Sequence, residues 1–230
     1  MLEIDVLTLF PRYLDWLSDS RPVRNAVEEG GLRLRALDLR PFGRGGYRQV
    51  DDAPYGGGAG MVIRVDVVCE ALESLYQMPI ERLRAERRMI LLAPVGRQLT
   101  DAVATELSAA ARITLLCGRY EGFDHRVHEH VATDELSIGP YVLSGGEPAA
   151  MVVIDAVTRK LPGALGRSES HVVESFSEAL GGSLEYPHYT RPEEYRGWRV
   201  PDVLLSGHHA AVERWRHERS ASRSAPKDGS

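Results

Sequence analysis

Two glycine-rich stretches constrain this chain more than any other feature. They are Asp51-Asp52-Ala53-Pro54-Tyr55-Gly56-Gly57-Gly58-Ala59-Gly60-Met61 and Ile138-Gly139-Pro140-Tyr141-Val142-Leu143-Ser144-Gly145-Gly146-Glu147. Glycines this dense permit positive φ angles and let a ligand approach the backbone, which a packed core has little reason to require. Neither stretch is a standard mononucleotide motif, and both read as binding loops on an α/β scaffold. A third turn, Cys117-Gly118-Arg119-Tyr120-Glu121-Gly122, follows directly on the apolar run Ile113–Leu116, which has the signature of a buried strand. In open α/β sheets ligands sit beyond the carboxyl ends of the strands, so this turn is well placed for chemistry. One such turn alone reads more readily as a tight strand-to-helix connection; three together favour a ligand site.

The periodicity between these loops alternates strand and helix. Met1–Phe10 and Leu32–Leu39 read as strands, with short helices over Pro11–Leu17 and Val23–Glu29 between them. Asp66 is placed to cap a helix with an apolar face of Val68, Leu72, Leu75 and Tyr76, and Thr100 to cap one carrying Val103 and Leu107. Strands are expected at Met89–Ala93, Ile113–Cys117 and Asp134–Ile138, and a helix over Pro148–Lys160 that Ser144 or Gly146 could cap. The alternation argues for a mostly parallel sheet covered on both faces. The expected organisation is a core domain over 1–162, a Gly/Ser/Glu-rich linker or lid over 163–184 and a small helical domain over 185–230. In that last domain Ser206 is placed to cap the main helix, Val212 and Trp215 turn inward, and 220–230 form a disordered tail.

Length and charge narrow the classes. The chain has 230 residues, room for one α/β core with an annex, and a formal net charge of −5, so any nucleic-acid contact must rest on a local patch. No apolar run approaches the roughly 20 residues that span a bilayer, and the chain opens on a strand pattern rather than a signal peptide, so a soluble, cytoplasmic protein without a membrane partner is expected. Cys69 and Cys117, the only two cysteines, lack metal-ligand spacing and read as buried free thiols. His125, His128 and His130 also match no standard zinc spacing, so no metal site is assigned.

With the three glycine segments joined by Leu7-Thr8-Leu9-Phe10-Pro11, Pro187-His188-Tyr189-Thr190-Arg191-Pro192 and Val203-Leu204-Leu205-Ser206-Gly207-His208-His209, the chain resembles the bacterial tRNA (guanine-N1)-methyltransferase (TrmD) family of the SPOUT class over nearly its whole length. The resemblance implies a SPOUT-type α/β fold with a C-terminal deep trefoil knot, which periodicity alone does not reveal. It further implies a homodimer, S-adenosyl-L-methionine as methyl donor, the anticodon stem-loop of tRNA as partner, tRNA processing as role and an Mg²⁺ dependence without assignable ligands. By the same resemblance Leu91, Leu92, Pro94, Gly118, Tyr120, Glu121, Ser137, Ile138, Gly139, Pro140, Tyr141, Val142, Leu143, Gly145 and Gly146 hold the cofactor. Core packing is the competing reading for Tyr120, Tyr141 and Leu143 taken singly.

The reaction implied is methylation of guanine N1 at tRNA position 37. That nitrogen carries a proton, so a base is needed, and the family's Asp-Ser-Phe word in the partner subunit's linker is matched here by Glu174-Ser175-Phe176. Glu keeps the carboxylate and adds a methylene; a solvated surface acid is the alternative reading. Arg159 falls where the family places an arginine near guanine O6, its alternative being a helix C-terminal cation. Asp51, Asp52, Tyr55, Gly56, Gly57, Gly58 and Met61 resemble the segment that contacts the target guanosine, and Ser175, His188, Arg191 and His208 complete the candidate substrate contacts. Arg191, Arg196, Arg199, Arg214, Arg216 and Arg219 are candidate phosphate contacts, diluted by neighbouring glutamates. A different SPOUT RNA methyltransferase and a catalytically lapsed RNA-binding protein stand as alternatives.

Overall fold

Strand sequences whose alternate residues are both apolar require cover on two faces, and this is how the core is built. The computed structural model describes residues 1–165, 174–177 and 180–224. The chain divides into two compact units, Met1–Gly166 and Arg167–Ser230.

In the first unit, β1 (Leu2–Thr8) is followed by a 3-10 turn (Pro11–Leu14), α1 (Asp15–Asp19), α2 (Arg21–Glu28) and β2 (Leu32–Asp38). The short strands β3 (Asp51–Asp52) and β4 (Val62–Ile63) then frame the first glycine loop, before α3 (Val65–Tyr76), α4 (Ile80–Glu86) and β5 (Arg88–Gln98). The order continues through α5 (Asp101–Ser108), β6 (Arg112–Cys117), α6 (His125–His130), β7 (Asp134–Ser137) and α7 (Glu147–Thr158). The main sheet has five strands in the order β2-β1-β6-β5-β7, all parallel. Ile4, Val6, Ile90, Leu92, Ile113 and Leu115 pack with residues of α1, α2, α5 and α7 on one face. Leu7, Met89, Leu91 and Leu116 pack with α3, α4 and α6 on the other. The period-two alternation along each strand thus feeds two separate cores.

Several expectations need correction at the level of caps and ends. Asp66 does not cap α3: the helix begins after Arg64 without a side-chain cap, and Asp66 sits in its first turn. Its carboxylate is taken by Arg64 and Arg44, at 3.0 and 3.1 Å, and the Arg64 hydrogen bond leads in holding its pKa down to about 2. Thr100 does cap α5, accepting from the Val103 N–H at 3.3 Å. The strand expected over Met89–Ala93 runs on to Gln98, and its pairing with β7 shifts between Leu92 and Arg97. Gly96 lies at that shift, where a Cβ would fall 2.4 Å from the Leu136 backbone nitrogen, so no larger residue fits.

The second unit holds a hairpin that periodicity did not reveal, β8 (Glu194–Tyr195) with β9 (Trp198–Arg199), then α8 (Asp202–Leu205) and α9 (His209–Ser224). Ser206 ends α8 rather than capping α9: its hydroxyl donates to Val203 O at 2.8 Å and accepts from the His208 N–H at 3.2 Å. The tail expected from residue 220 is helical as far as Ser224, and residues 225–230 lie outside the described residues. Within the expected linker, Ala164 is buried in the core of the first unit, whereas Leu184 is tied to α9. Leu184 N–H donates to Ser224 Oγ at 2.7 Å and Ser220 Oγ to Leu184 O at 2.5 Å. No helix among the described residues is long and apolar enough to cross a membrane.

Candidate functional site

The site grows from the carboxyl ends of β5, β6 and β7. After β6 the chain turns through Gly118–Gly122, with Tyr120 in the left-handed region (φ 59°) and its ring exposed. After β7 the second glycine stretch meets this turn: Gly146 N–H donates to Gly118 O at 2.9 Å, and Gly145 bridges to Arg119. A Cβ on Gly146 would lie 2.7 Å from Cys117 Cα, so the contact is close enough to require glycine.

The two paired loops and the end of β5 line a cavity of about 320 Å³, within the size range of small-ligand pockets. Leu91, Leu92, Pro94, Gly118, Tyr120, Glu121, Ser137, Ile138, Gly139, Tyr141, Val142, Leu143, Gly145 and Gly146 all line it. Pro140 is the one cofactor candidate that does not; it is exposed. Arg119, Phe123, His128 and Leu136 also line the cavity. Arg119 was visible inside the quoted turn, whereas His128 stood out only as one of three nearby histidines without a standard zinc spacing; its Nδ1 lies 2.8 Å from a Glu135 carboxylate oxygen.

A buried carboxylate stands behind this contact. Glu147, only 1% exposed at the start of α7, accepts from Thr8 Oγ1 at 2.7 Å. Its other oxygen has no hydrogen-bond partner and lies 4.0 Å from Arg119. Arg119 in turn rests 4.7 Å over the Phe10 ring, and Phe10 N–H donates to Thr8 Oγ1 at 2.8 Å. The end of β1, the turn after β6 and the start of α7 are thereby held together. Burial, and then the Glu147 charge, pushes the Cys117 thiol well above its ordinary pKa; burial likewise raises that of the half-buried Cys69.

The first glycine loop abuts the cavity rim. Glu121 N–H donates to Met61 O at 3.0 Å and Ile63 N–H to Gly122 O at 2.9 Å, so the turn that lines the cavity also carries the loop's end. Asp51 pairs with Ile63 across β3 and β4, and Asp52 holds Arg64 at 2.8 Å. Between them Tyr55 is fully exposed, and Gly56, Gly57 and Gly58 adopt positive φ.

The remaining candidates lie elsewhere. Arg159 follows α7, its N–H bonded to Asp155 O at 3.1 Å. At 1.5 Å per residue the helix carries it about 20 Å from Gly146, away from the cavity of its own chain. Glu174, half-buried, belongs to the second unit, where Ser177 N–H donates to its carbonyl at 3.0 Å. Ser175 Oγ accepts from Glu185 N–H at 2.9 Å, and His188 Nε2 lies 2.9 Å from Glu185. Arg191 and His208 are exposed. Among the described residues no three His, Cys, Asp or Glu side chains are gathered to hold a metal ion, so Mg²⁺ receives no ligand set.

The family model described as tRNA (Guanine-1)-methyltransferase TrmD matches residues 2–228. A Thermus thermophilus protein named tRNA (guanine-N(1)-)-methyltransferase is 51% identical over 219 residues, 95% of this chain and 86% of that one. Relatives of the same name from Shouchella clausii and Halalkalibacterium halodurans are 48% and 47% identical over 222 residues, 96% of this chain and 88% and 87% of theirs. Joined to a parallel sheet that brings the glycine motifs to one cavity, these matches show that the chain belongs to the tRNA (guanine-1)-methyltransferase TrmD family.

Proposed function

We propose that this protein methylates N1 of the guanosine at tRNA position 37, next to the anticodon, with S-adenosylmethionine as donor. The observation that carries the reading is the meeting of the glycine motifs at one cavity, with the guanosine-loop candidate on its rim. The lining fits a nucleoside cofactor: Leu91, Leu92 and Ile138 offer apolar walls, the glycine backbones leave room for close contact, and Glu121 supplies a carboxylate. Bound there, S-adenosylmethionine supplies an electrophilic methyl group on a sulfonium.

The chain's own residues must position guanine and handle its N1 proton. As the N1–carbon bond forms and the carbon–sulfur bond breaks, the Glu174 carboxylate accepts that proton. Arg159 sets a planar cation against O6, where negative charge develops as the proton leaves. Its distance from its own cavity supports a homodimer in which one subunit's cavity works with the other's Arg159 and Glu174. Exposed apolar residues on neighbouring elements support the same arrangement: Tyr13 on the 3-10 turn that packs on α7, Trp16 on α1 and Val152 on α7 itself. The close pairing of Gly145 and Gly146 with Arg119 and Gly118 supports a trefoil knot. A tRNA substrate supports a cytoplasmic location.

Methyl transfer from labelled S-adenosylmethionine to a transcript with guanosines at positions 36 and 37 tests the reading. N1-methylguanosine at position 37, falling roughly 10²- to 10⁴-fold in Glu174→Gln, is the expected result. Transfer unchanged by the substitution would move the base to another residue, with Asp52 at the rim the next candidate. Absence of transfer by the unmodified protein would refute the function.

A further inference from the structure

We propose that the β8–β9 hairpin is a stacking site for an unpaired nucleobase of the RNA substrate, with Tyr195 and Trp198 as its platform. The inference rests on tRNA as substrate and adds a contact that charge alone does not suggest. Register places Tyr195 directly opposite Trp198, so both rings project from one face, with centroids 5.8 Å apart and planes at 61°. Trp198 is 70% exposed and Tyr195 51%, much apolar surface to leave in water on two strands of two residues each.

The hairpin is geometrically determined. Its two-residue turn has both central residues at positive φ, Arg196 at 54° and Gly197 at 83°, which matches the twist of the flanking strands. Val200 N–H donates to Glu193 O at 3.0 Å and closes the next rung. The platform is therefore presented ready-made rather than ordered on binding.

The hairpin's charges are unevenly placed between its faces. Glu194 is opposite Arg199 in the register, on the face away from the rings, and the two pair at 3.4 Å. The aromatic face instead carries Arg196, whose guanidinium stacks 5.2 Å over the Tyr195 ring. Neither Arg196 nor the exposed Arg191 enters an ion pair among the described residues. Exposed rings beside an arginine outside those ion pairs suit a base and its phosphate; base faces are open to such rings only where the RNA is unpaired.

Equilibrium binding of a tRNA transcript to wild-type protein, Trp198→Ala, Trp198→Phe and Tyr195→Ala tests this. Affinity should fall about 5- to 150-fold in each alanine variant and recover most of the loss in Trp198→Phe. The slope of log affinity against log salt should stay unchanged, because no phosphate contact is removed. A protein with Trp16→Phe and Trp215→Phe keeps Trp198 as its only indole; its emission should be quenched on adding the transcript, a readout that does not depend on any alanine variant folding. Wild-type affinity in the folded alanine variants, or emission that tRNA leaves unchanged, would overturn the stacking site. Methyl transfer run alongside separates the two readings: if the wild type methylates tRNA while the hairpin variants bind normally, only the hairpin proposal falls.

Discussion

Asp5 is 1% exposed in the middle of β1, a position where an unpaired carboxylate would be strongly unfavourable. Arg35 binds it through two hydrogen bonds of 2.7 Å, Arg87 through one of 2.7 Å and Tyr76 through one of 2.6 Å. Burial pushes its pKa up, but the bonds from Arg35 and Tyr76 and the charges of Arg87 and Arg35 outweigh it, and the group lies below its ordinary 3.8. Because the folded value is depressed, the stabilisation is complete above pH 3.8 and is lost as pH falls through the lower folded value. Replacing Arg87, itself buried, should therefore lower stability at neutral pH by about 3 kcal/mol, measured by urea unfolding of Arg87→Leu. The deficit should shrink in acid, where Asp5 is protonated. The sequence displays Asp5 as one polar residue of an alternating strand; its partners come from β2, α3 and the link between α4 and β5, and only folding gathers them.

At the scale of elements, the apolar pattern located the main-sheet strands and their flanking helices well, and capping letters did so unevenly: Thr100 and Gly146 stand at the N-caps expected of them, Asp66 and Ser206 do not. Asp66 and Ser206 both have side chains suited to a cap, yet Asp66 is claimed by two arginines and Ser206 by the end of the preceding helix. A cap depends on which backbone N–H lies within reach, and that is set by the entry angle of the chain. The glycine loops were legible because their composition is unusual, but which glycines are indispensable was not. Gly146→Ala places a Cβ 2.7 Å from backbone that cannot yield cheaply. It should cost about 1–3 kcal/mol and weaken S-adenosylmethionine binding more than tenfold by titration calorimetry. Gly46→Ala, with no atom within 4 Å of the added carbon, is the control and should leave both unchanged.

For the whole molecule, the proposed sharing of each site between subunits predicts complementation. Leu143→Arg obstructs the cavity from an exposed position, and Arg159→Ala removes the cation proposed to act in the partner's cavity. Each variant alone should be inactive, with Arg159→Ala still binding S-adenosylmethionine. In a two-fold dimer, co-expressed and doubly tagged heterodimers should regain about one of the two sites. Activity in Arg159→Ala alone, or no recovery in the heterodimer, would refute the shared site.

The sequence by itself determined the α/β alternation, the burial of both sheet faces and the three loops around which a site could form, because these depend on local periodicity and on glycine's conformational freedom. It displayed the words that ally the chain with its family. Only the tertiary structure decided that Gly145 and Gly146 meet Arg119 and Gly118 and that Glu147 stands behind this contact, tied to Thr8 at the end of β1. Those relations join residues far apart in the chain, and no local pattern of side chains encodes a distance across the fold.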